Sequence, residues 1–425
     1  QAEDGIRDLV RSRGLGDVYK RQSPSTSGVP KGGEGLSGPT AMTVEVPRPF
    51  PPVYEDITQA IGNTPLVRLR KLPDPAGARV YAKVEMLNPG GSVKDRIGAS
   101  MLDAAERSGK LGPGGTVVEC TSGNTGVGLA LNCAVRGYKL ICTMPDKMSQ
   151  EKINLLRAMG AEVIVTPTSV AADHPDSYYS VARRIAETTE NCVWTNQYFN
   201  DANPEAHYRS TGPEIWAQTQ GAVDAFVAGM GTCGTVSGVG HYLKEQKKDL
   251  RVVAVDPKGS VLKHWFDTGE TIEGQPYQVE GIGEDIVPSA FQKEWVDEVR
   301  SVDDRTAFLT TRRIMEEEGI FAGGSCGAAV AVALDLAREM DPRQMVVVLL
   351  PDSGDRYVSK IYNDNWMREN RYFTPDTATA SDVIRRKGRS QPALLTVEAQ
   401  SPVREAVEIM RRHEVSQLPV LDGGE

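Results

Sequence analysis

Short apolar runs alternate with longer amphipathic stretches from residue 49 onward. The runs TVVEC (116–120) and MVVVLL (345–350) have the length and β-branched content of buried strands. Between such runs, apolar residues recur at helical spacing, as in 124–135, where Gly137 provides a stop signal. Strands separated by helices of about 10–15 residues need right-handed crossovers and form parallel sheets. The pattern therefore predicts an α/β fold.

The predicted elements form two groups, one before residue 222 and one after it. The predicted strands are 116–120, 140–144, 161–166, 225–228, 251–255 and 345–350. The predicted helices are 124–135, 236–245, 306–318 and 325–338. A further helix is expected directly after Ser149, which can cap it. We expect two α/β lobes, each with a parallel sheet, on either side of a shared cleft.

The two ends of the chain differ from this central region. Residues 1–48 include a Ser-, Gly- and Pro-rich stretch with little to bury, and they begin with sequence resembling a translated adapter. We therefore predict a disordered or artefactual tail there, followed by a catalytic domain at 49–375. Residues 376–425 begin as a polar linker. They continue with an amphipathic helix after Pro402 and a predicted strand at 416–421.

Composition narrows the class of protein. The 425 residues carry 48 basic and 57 acidic side chains, a net charge of −9, which argues against a nucleic-acid partner. No apolar run of 18 residues or more exists, so we expect no membrane span. Six scattered cysteines without a C-x-x-C pair, and five histidines without metal spacing, favour reduced thiols and no metal site. These features predict a soluble cytoplasmic enzyme.

Lys94 lies in the segment NPGGSVKDR (88–96), which has the pattern of a helix start. Ser92 is followed three residues later by Asp95, as in a capping box, and an apolar stripe continues the helix. The first helical turn lies in the positive field of the helix dipole, which disfavours an ammonium group and lowers the pKa of Lys94. An amine with a lowered pKa is suited to Schiff-base chemistry.

Two glycine-containing loops follow predicted strands and open predicted helices. The loop TSGNTG (121–126) offers hydroxyls, an amide and helix N–H groups to an anion. The loop GMGTCG (229–234) matches G-x-G-x-x-G, and Asp256 ends the next strand, as in a dinucleotide fold. A nicotinamide-dependent dehydrogenase is therefore one alternative. The same backbone N–H groups would hold a phosphate monoester equally well.

Several segments together, within residues 54–373, resemble the cysteine synthase/cystathionine β-synthase family of fold-type II pyridoxal-phosphate enzymes. They are IGNTPLVRL (61–69), NPGGSVKDR (88–96), TSGNTG (121–126), MGTCGTVSG (230–238), VEGIG (279–283), GGSCG (323–327) and LLPDSGDRY (349–357). The resemblance implies two α/β lobes around a pyridoxal 5′-phosphate cleft. The stretch 396–425 resembles the opening of a CBS regulatory module, so the expected module is incomplete.

The resemblance also implies a role for individual residues. Lys94 would hold the cofactor covalently and act in catalysis, and Asn124 would bind the cofactor's 3′-oxygen. The expected phosphate loop is Gly231, Thr232, Cys233, Gly234 and Thr235, where the family usually has glycine in place of Cys233. Ser325 would bind the pyridine nitrogen. The residues expected to bind substrate are Thr121, Ser122, Thr125, Gln197, Gly281 and Glu284.

The activity implied by the resemblance is ping-pong β-replacement, which joins L-serine to L-homocysteine and releases L-cystathionine. Cysteine synthesis from O-acetylserine and sulfide uses the same loops and is the close alternative. Glu284 and the tail resembling a CBS module favour the first reaction. We expect a homodimer or homotetramer acting on small molecules. No haem is expected, because no Cys or His that could ligate it precedes Cys120.

Overall fold

The structure, a computed structural model, describes residues 53–121, 123–146, 148–170, 174–373, 395–413 and 415–423. The predictions for residues 1–48, for Ser122 and for most of the linker lie outside the described residues. Residues 54–425 form one compact unit. All helices and strands of the described residues lie in this unit.

Twelve strands and twelve α-helices are described in this unit. The strands are β1 (Leu66–Arg68), β2 (Arg79–Val84), β3 (Thr116–Cys120), β4 (Lys139–Pro145), β5 (Glu162–Thr166), β6 (Cys192–Trp194), β7 (Ala225–Gly229), β8 (Arg251–Pro257), β9 (Glu298–Val302), β10 (Met345–Leu350), β11 (Val397–Glu398) and β12 (Val420–Leu421).

The helices are α1 (Lys94–Arg107), α2 (Asn124–Arg136), α3 (Gln150–Ala158), α4 (Tyr178–Thr188), α5 (Ala202–Ala206), α6 (Gly212–Gln218), α7 (Gly234–Gln246), α8 (Leu262–Thr268), α9 (Asp304–Glu318), α10 (Gly324–Arg338), α11 (Asp364–Glu369) and α12 (Val403–His413). A π-helical turn, His207–Thr211, joins α5 to α6.

Two sheets organise the lobes. The larger sheet has the order β1-β2-β10-β7-β8-β9, and only the β1–β2 pair is antiparallel. The smaller sheet has the order β5-β4-β3-β6 and is entirely parallel. The predicted α/β fold with parallel sheets is confirmed. Parallel sheets are covered by helices on both faces, so both sides of each strand are buried. This explains why the strands appear in the sequence as unbroken apolar runs.

Strand β10 illustrates this double burial. All six of its residues are buried. Val346, Val348 and Leu350 pack into one core with α9 and α10, whereas Val347 and Leu349 pack into another with α6 and α7. Alternate residues of a strand point to opposite faces of its sheet, so one apolar run serves two cores.

Two local predictions are corrected by the structure. The strand expected at 416–421 is limited to Val420–Leu421, which pairs in parallel with β11. The expected capping box is also absent. Ser92 accepts a hydrogen bond from the backbone N–H of Lys94 (3.2 Å), but Asp95 accepts from the backbone N–H of Gly90 (2.5 Å) and does not reach Ser92. Asp95 therefore fixes the glycine loop that precedes α1.

Four charged side chains form a buried cluster at the start of α1. Arg96 donates to both oxygens of Glu85 (2.7 and 2.8 Å) and to both oxygens of Glu214 (2.7 and 2.8 Å). Lys83 donates to Glu214 (2.6 Å) and to the carbonyl oxygen of Thr64 (2.7 Å). Arg96 is therefore bidentate to each carboxylate, and Lys83 adds a second cation beside Glu214. Two cations and two anions thus compensate one another after they have lost their hydrating water.

Replacing Arg96 should show how strongly the fold depends on this cluster. Arg96→Met leaves Glu85 and Glu214 buried with Lys83 as their remaining cation, and loss of one buried partner typically costs about 3–5 kcal/mol. We expect a decrease of that size in the free energy of unfolding, measured by urea denaturation. Arg107→Met, at the exposed end of the same helix, is the control. Equal and small effects of both substitutions would contradict the structural role of the cluster.

Candidate active site

Loops from both lobes meet at one cleft. A single cavity is lined by Lys94 at the start of α1, by Gly231, Thr232, Cys233 and Thr235 after β7, and by Gly281. Short antiparallel contacts, Ser92 with Asp352 and Ala322 with Ser353, join the loop after β10 to the segments before α1 and α10. The carboxyl ends of parallel strands therefore converge here, which is where α/β proteins bind ligands.

A close crossing of two helices fixes the backbone of Lys94. A Cβ atom at Gly128 of α2 would lie 2.7 Å from the carbonyl oxygen of Lys94, so only glycine fits at that position. Burial lowers the pKa of the Lys94 amine, and the nearby carboxyl of Glu284 opposes this shift. The direction agrees with the expectation from the helix dipole, although burial is the main cause. Within the described residues, the amine has no hydrogen-bond partner.

The expected phosphate loop runs from the end of β7 into the first turn of α7. A Cβ atom at Gly231 would lie 2.7 Å from the carbonyl oxygen of Gly281. Cys233 adopts the left-handed conformation that favours glycine (φ +64°), and its buried thiol donates to the carbonyl oxygen of Gly231 (3.3 Å). Because α7 begins at Gly234, the N–H groups of its first turn have no partner from a preceding turn.

Two buried side chains behind this loop were missed by the sequence analysis. Asn203 donates through Nδ2 to the hydroxyl of Thr232 (2.9 Å), and His207 Nε2 lies 3.2 Å from the hydroxyl of Thr235. Burial lowers the pKa of His207 well below its usual range, so its ring is neutral. Asn203 and His207 are four residues apart on one helical face, and this spacing was the available signal.

The loop after β3 contacts the segment after β6. The hydroxyl of Thr125 donates to Oε1 of Gln197 (2.7 Å), and Thr121 accepts from the backbone N–H of Gly123 (3.3 Å). Thr121, Thr125 and Gln197 are all buried. The structure thus brings Thr125 and Gln197, two of the residues expected to bind substrate, into contact, and Thr121 lies buried in the same loop as Thr125. Ser122, also expected to bind substrate, lies outside the described residues.

Asp352 supports Asn124 from the loop after β10. Its Oδ2 accepts from the side-chain amide of Asn124 (2.8 Å) and from the hydroxyl of Tyr357 (2.7 Å). Burial raises the pKa of Asp352, whereas the two hydrogen bonds lower it. The polar loop is recognisable in the sequence, but the role of Asp352 is not, because its contact with Asn124 joins residues that lie far apart along the chain.

Glu284 lies half-buried at the edge of the cleft. Its carboxyl is hydrogen-bonded to Tyr198, and its backbone N–H donates to Ser260 (3.0 Å). Burial raises the pKa of Glu284 to about 7, and the bond to Tyr198 and the charge of Lys94 act in the opposite direction. A carboxyl in this position is ionised above neutral pH and presents a negative charge close to Lys94.

Comparison with known proteins places the chain in a family. Residues 57–352 match the model of the pyridoxal-phosphate-dependent enzymes, and residues 380–425 match the model of the CBS domain. The chain therefore belongs to the family of pyridoxal-phosphate-dependent enzymes.

Three known proteins illustrate what this chain is similar to. The chain is 40% identical over 376 residues to a cystathionine β-synthase of Dictyostelium discoideum, and the matched region covers 87% of this chain and 75% of the relative. It is 44% identical over 308 residues to a cysteine synthase of Staphylococcus aureus, covering 72% of this chain and 96% of the relative. A solved structure of an O-ureido-L-serine synthase matches with a TM-score of 0.68 and 36% identity, covering 79% of this chain and all of that one.

The residues in the cleft fit the cofactor that the family binds. The buried amine of Lys94 is suited to the aldehyde of pyridoxal phosphate, and the hydroxyls of Thr232 and Thr235 with the N-terminus of α7 suit a phosphate group. A Cβ atom at Gly281 would meet only the hydroxyl of Ser325, at 3.9 Å. That space beside a serine hydroxyl can accept a flat ring.

The dinucleotide alternative is wrong, because the family match covers the G-x-G-x-x-G loop. Asp256, whose place at the end of the next strand suggested that alternative, accepts from the backbone N–H of Lys263 in the first turn of α8 (2.8 Å). It therefore caps a helix.

Metal-binding clusters and membrane-spanning helices are both absent from the described part of the chain. No group of three His, Cys, Asp or Glu side chains there is arranged to hold a metal ion. No helix there is long and apolar enough to cross a bilayer.

The raised pKa of Glu284 predicts a pH-dependent effect on stability. The folded protein binds this proton more tightly than the unfolded chain, so the stabilisation is fully present below pH 4.5 and is lost as pH rises through about 7. Glu284→Gln removes the buried charge. It should therefore stabilise the protein at pH 8 by up to about 3 kcal/mol and have little effect at pH 4.5.

Urea denaturation of both proteins at several pH values measures this difference. Glu270→Gln, which makes the same change at an exposed carboxyl, is the control for loss of a surface charge. An effect of Glu284→Gln that is the same at pH 4.5 and pH 8 would contradict the burial of this carboxyl.

Proposed function

We propose that this chain catalyses β-replacement on L-serine, joining it to the thiol of L-homocysteine to give L-cystathionine and water. The observation that carries the proposal is the extent of the similarity. The match to the Dictyostelium discoideum cystathionine β-synthase extends over 376 residues, against 308 for the Staphylococcus aureus cysteine synthase. It therefore reaches well beyond the 57–352 catalytic match, and a CBS domain follows at 380–425.

Lys94 is the residue proposed to hold the cofactor and to move protons. When bound, pyridoxal phosphate withdraws electrons from the α-carbon of an amino acid attached to it, so that a group on the β-carbon can leave. The amine of Lys94, placed by α1 in the cleft, would take the proton from the α-carbon and later return it. Its lowered pKa supports this role, because more of the amine is unprotonated near neutral pH.

The remaining cofactor contacts follow the positions of the loops. We assign Asn124 to the 3′-oxygen, the loop from Gly231 to Thr235 to the phosphate, and Ser325 to the pyridine nitrogen. A serine hydroxyl is neutral and cannot stabilise a protonated pyridine as a carboxylate would. That difference favours loss of a β-substituent over transamination.

Substrate binding is proposed on both sides of Lys94. Thr121, Ser122, Thr125 and Gln197 would bind the carboxylate of the first amino acid. Gly281 and Glu284 would contact the second. The negative charge of Glu284 attracts the ammonium group of homocysteine, whereas sulfide has no such group. This distinction connects one side chain to the choice between the two candidate reactions.

Cysteine synthesis from O-acetylserine and sulfide is the second candidate. It is favoured by the 44% identity to a cysteine synthase, of which this chain covers 96%. The limits of the catalytic domain at 49–375, the incomplete regulatory module at 376–425, the homodimer or homotetramer, the cytoplasmic location and the absence of haem stay predictions.

A matrix of donors and acceptors tests the proposal. Serine or O-acetylserine is combined with homocysteine or sulfide, and kcat/KM is measured for each pair at pH 8. Serine with homocysteine should be the preferred pair. Preference for O-acetylserine with sulfide would overturn the proposal in favour of cysteine synthesis.

The same assay tests the role of Glu284. Glu284→Gln should raise the KM for homocysteine by about 10-fold, equivalent to about 1.4 kcal/mol of lost ionic attraction, and leave the KM for sulfide unchanged. Glu270→Gln, at an exposed carboxyl, should change neither value. An equal rise for both acceptors would remove Glu284 from recognition of the second amino acid.

A further inference from the structure

Asn203 makes an unusual set of contacts directly behind the phosphate loop. The residue is fully buried, and its Nδ2 donates to the carbonyl oxygen of Gln197 (2.8 Å) and to the hydroxyl of Thr232 (2.9 Å). Its Oδ1 has no hydrogen-bond partner within the described residues and faces the α-carbon of Gly234. A side chain at position 234 would collide with this amide, so the amide and the loop fit together only with glycine there.

The carbonyl of Gln197 fixes the orientation of the Asn203 amide. A backbone carbonyl can only accept hydrogen bonds, so the atom of Asn203 that faces it must be the nitrogen. The opposite orientation would place two acceptor oxygens at 2.8 Å from each other. Burial of Oδ1 without a partner costs about 1–3 kcal/mol. The two hydrogen bonds that Nδ2 donates offset this cost.

This orientation also fixes the role of the Thr232 hydroxyl. A hydroxyl has one hydrogen to donate and can accept through its lone pairs. Because Thr232 accepts from Asn203, its own hydrogen is directed away from the amide. Thr232 lines the cavity that contains Lys94, so a ligand at the N-terminus of α7 can receive that hydrogen.

We propose that Asn203 is a positioning residue that makes Thr232 a dedicated hydrogen-bond donor to the cofactor's phosphate group. The inference rests on the proposed role of the Gly231–Thr235 loop in binding that phosphate. Through the carbonyl of Gln197, whose side chain accepts from Thr125, the same amide also joins the phosphate loop to the proposed substrate-carboxylate site.

Asn203→Asp is the most informative substitution. The carboxyl has nearly the same shape, but both of its oxygens can accept, so the Thr232 hydroxyl turns to donate to it and no longer donates to the phosphate. The substitution also places an oxygen against the carbonyl of Gln197, a repulsion that is the same whichever residue occupies position 232. A hydrogen bond to a charged group contributes about 1.5–3 kcal/mol, so we expect the dissociation constant of pyridoxal phosphate to rise by at least about 10-fold. Equilibrium dialysis of the full-length chain measures this constant.

A double-mutant cycle separates positioning from simple damage. Thr232→Val removes the hydroxyl, whereas Thr232→Ser keeps it as the matched control. Asn203→Asp should weaken cofactor binding much less in the Thr232→Val background than in the Thr232→Ser background, while any direct repulsion by the new charge is common to both. The ³¹P chemical shift of the bound phosphate should change with Asn203→Asp in the parent and not in Thr232→Val.

The outcomes are distinct. An equal loss of affinity in both backgrounds would overturn the positioning role of Asn203. Unchanged binding in Thr232→Val alone would overturn the role of the Thr232 hydroxyl as a donor to the phosphate, and with it the inference. If Asn203→Asp does not fold, Asn203→Ala provides the same cycle without an added charge. None of these measurements depends on which amino acids react, so they leave the proposed reaction to its own test.

Discussion

The buried cluster of Lys83, Glu85, Arg96 and Glu214 holds the two lobes in the arrangement on which the cleft depends. Lys83 lies near the end of strand β2 of the larger sheet, Glu214 lies on α6 beside that sheet, and Arg96 lies on α1, which packs mainly in the smaller lobe. Val93 is buried in a core of the larger lobe, whereas Ile97 is buried in the core of the smaller one. Lys94 therefore lies where α1 passes from one lobe to the other.

From this constraint the chemistry of the cleft follows. The cluster anchors Arg96 in the first turn of α1, and the glycine crossing with α2 fixes the backbone of Lys94. The side chain of Lys94 lines the same cavity as the phosphate loop. Burial shifts the pKa values of Lys94 and Glu284 in opposite directions. It lowers the pKa of Lys94, so more of the amine is unprotonated near neutral pH, and it raises the pKa of Glu284 to about 7.

The parts of this fold that could be predicted from the sequence are those with local signals. Strands such as β3 and β10 are continuous apolar runs, and loops at 121–126 and 231–235 carry hydroxyls and glycines in recognisable order. By contrast, β1 and β6 are three residues long and largely unburied, so no periodicity revealed them. The roles of Asn203 and Asp352, and the correction at Asp95, arise from contacts between distant segments or from a competing nearby partner. Spacing along the chain does not encode such contacts.

Lys94 lies at the junction of the two lobes, and its amine is the one expected to bind the cofactor. Reduction of the cofactor-loaded protein with borohydride, followed by peptide mass spectrometry, identifies the lysine bound to pyridoxal phosphate. We predict that the label is found on Lys94 alone, and that Lys110, exposed just beyond the end of α1, remains unlabelled. Labelling of a different lysine, or none in a protein that retains the cofactor, would contradict this account.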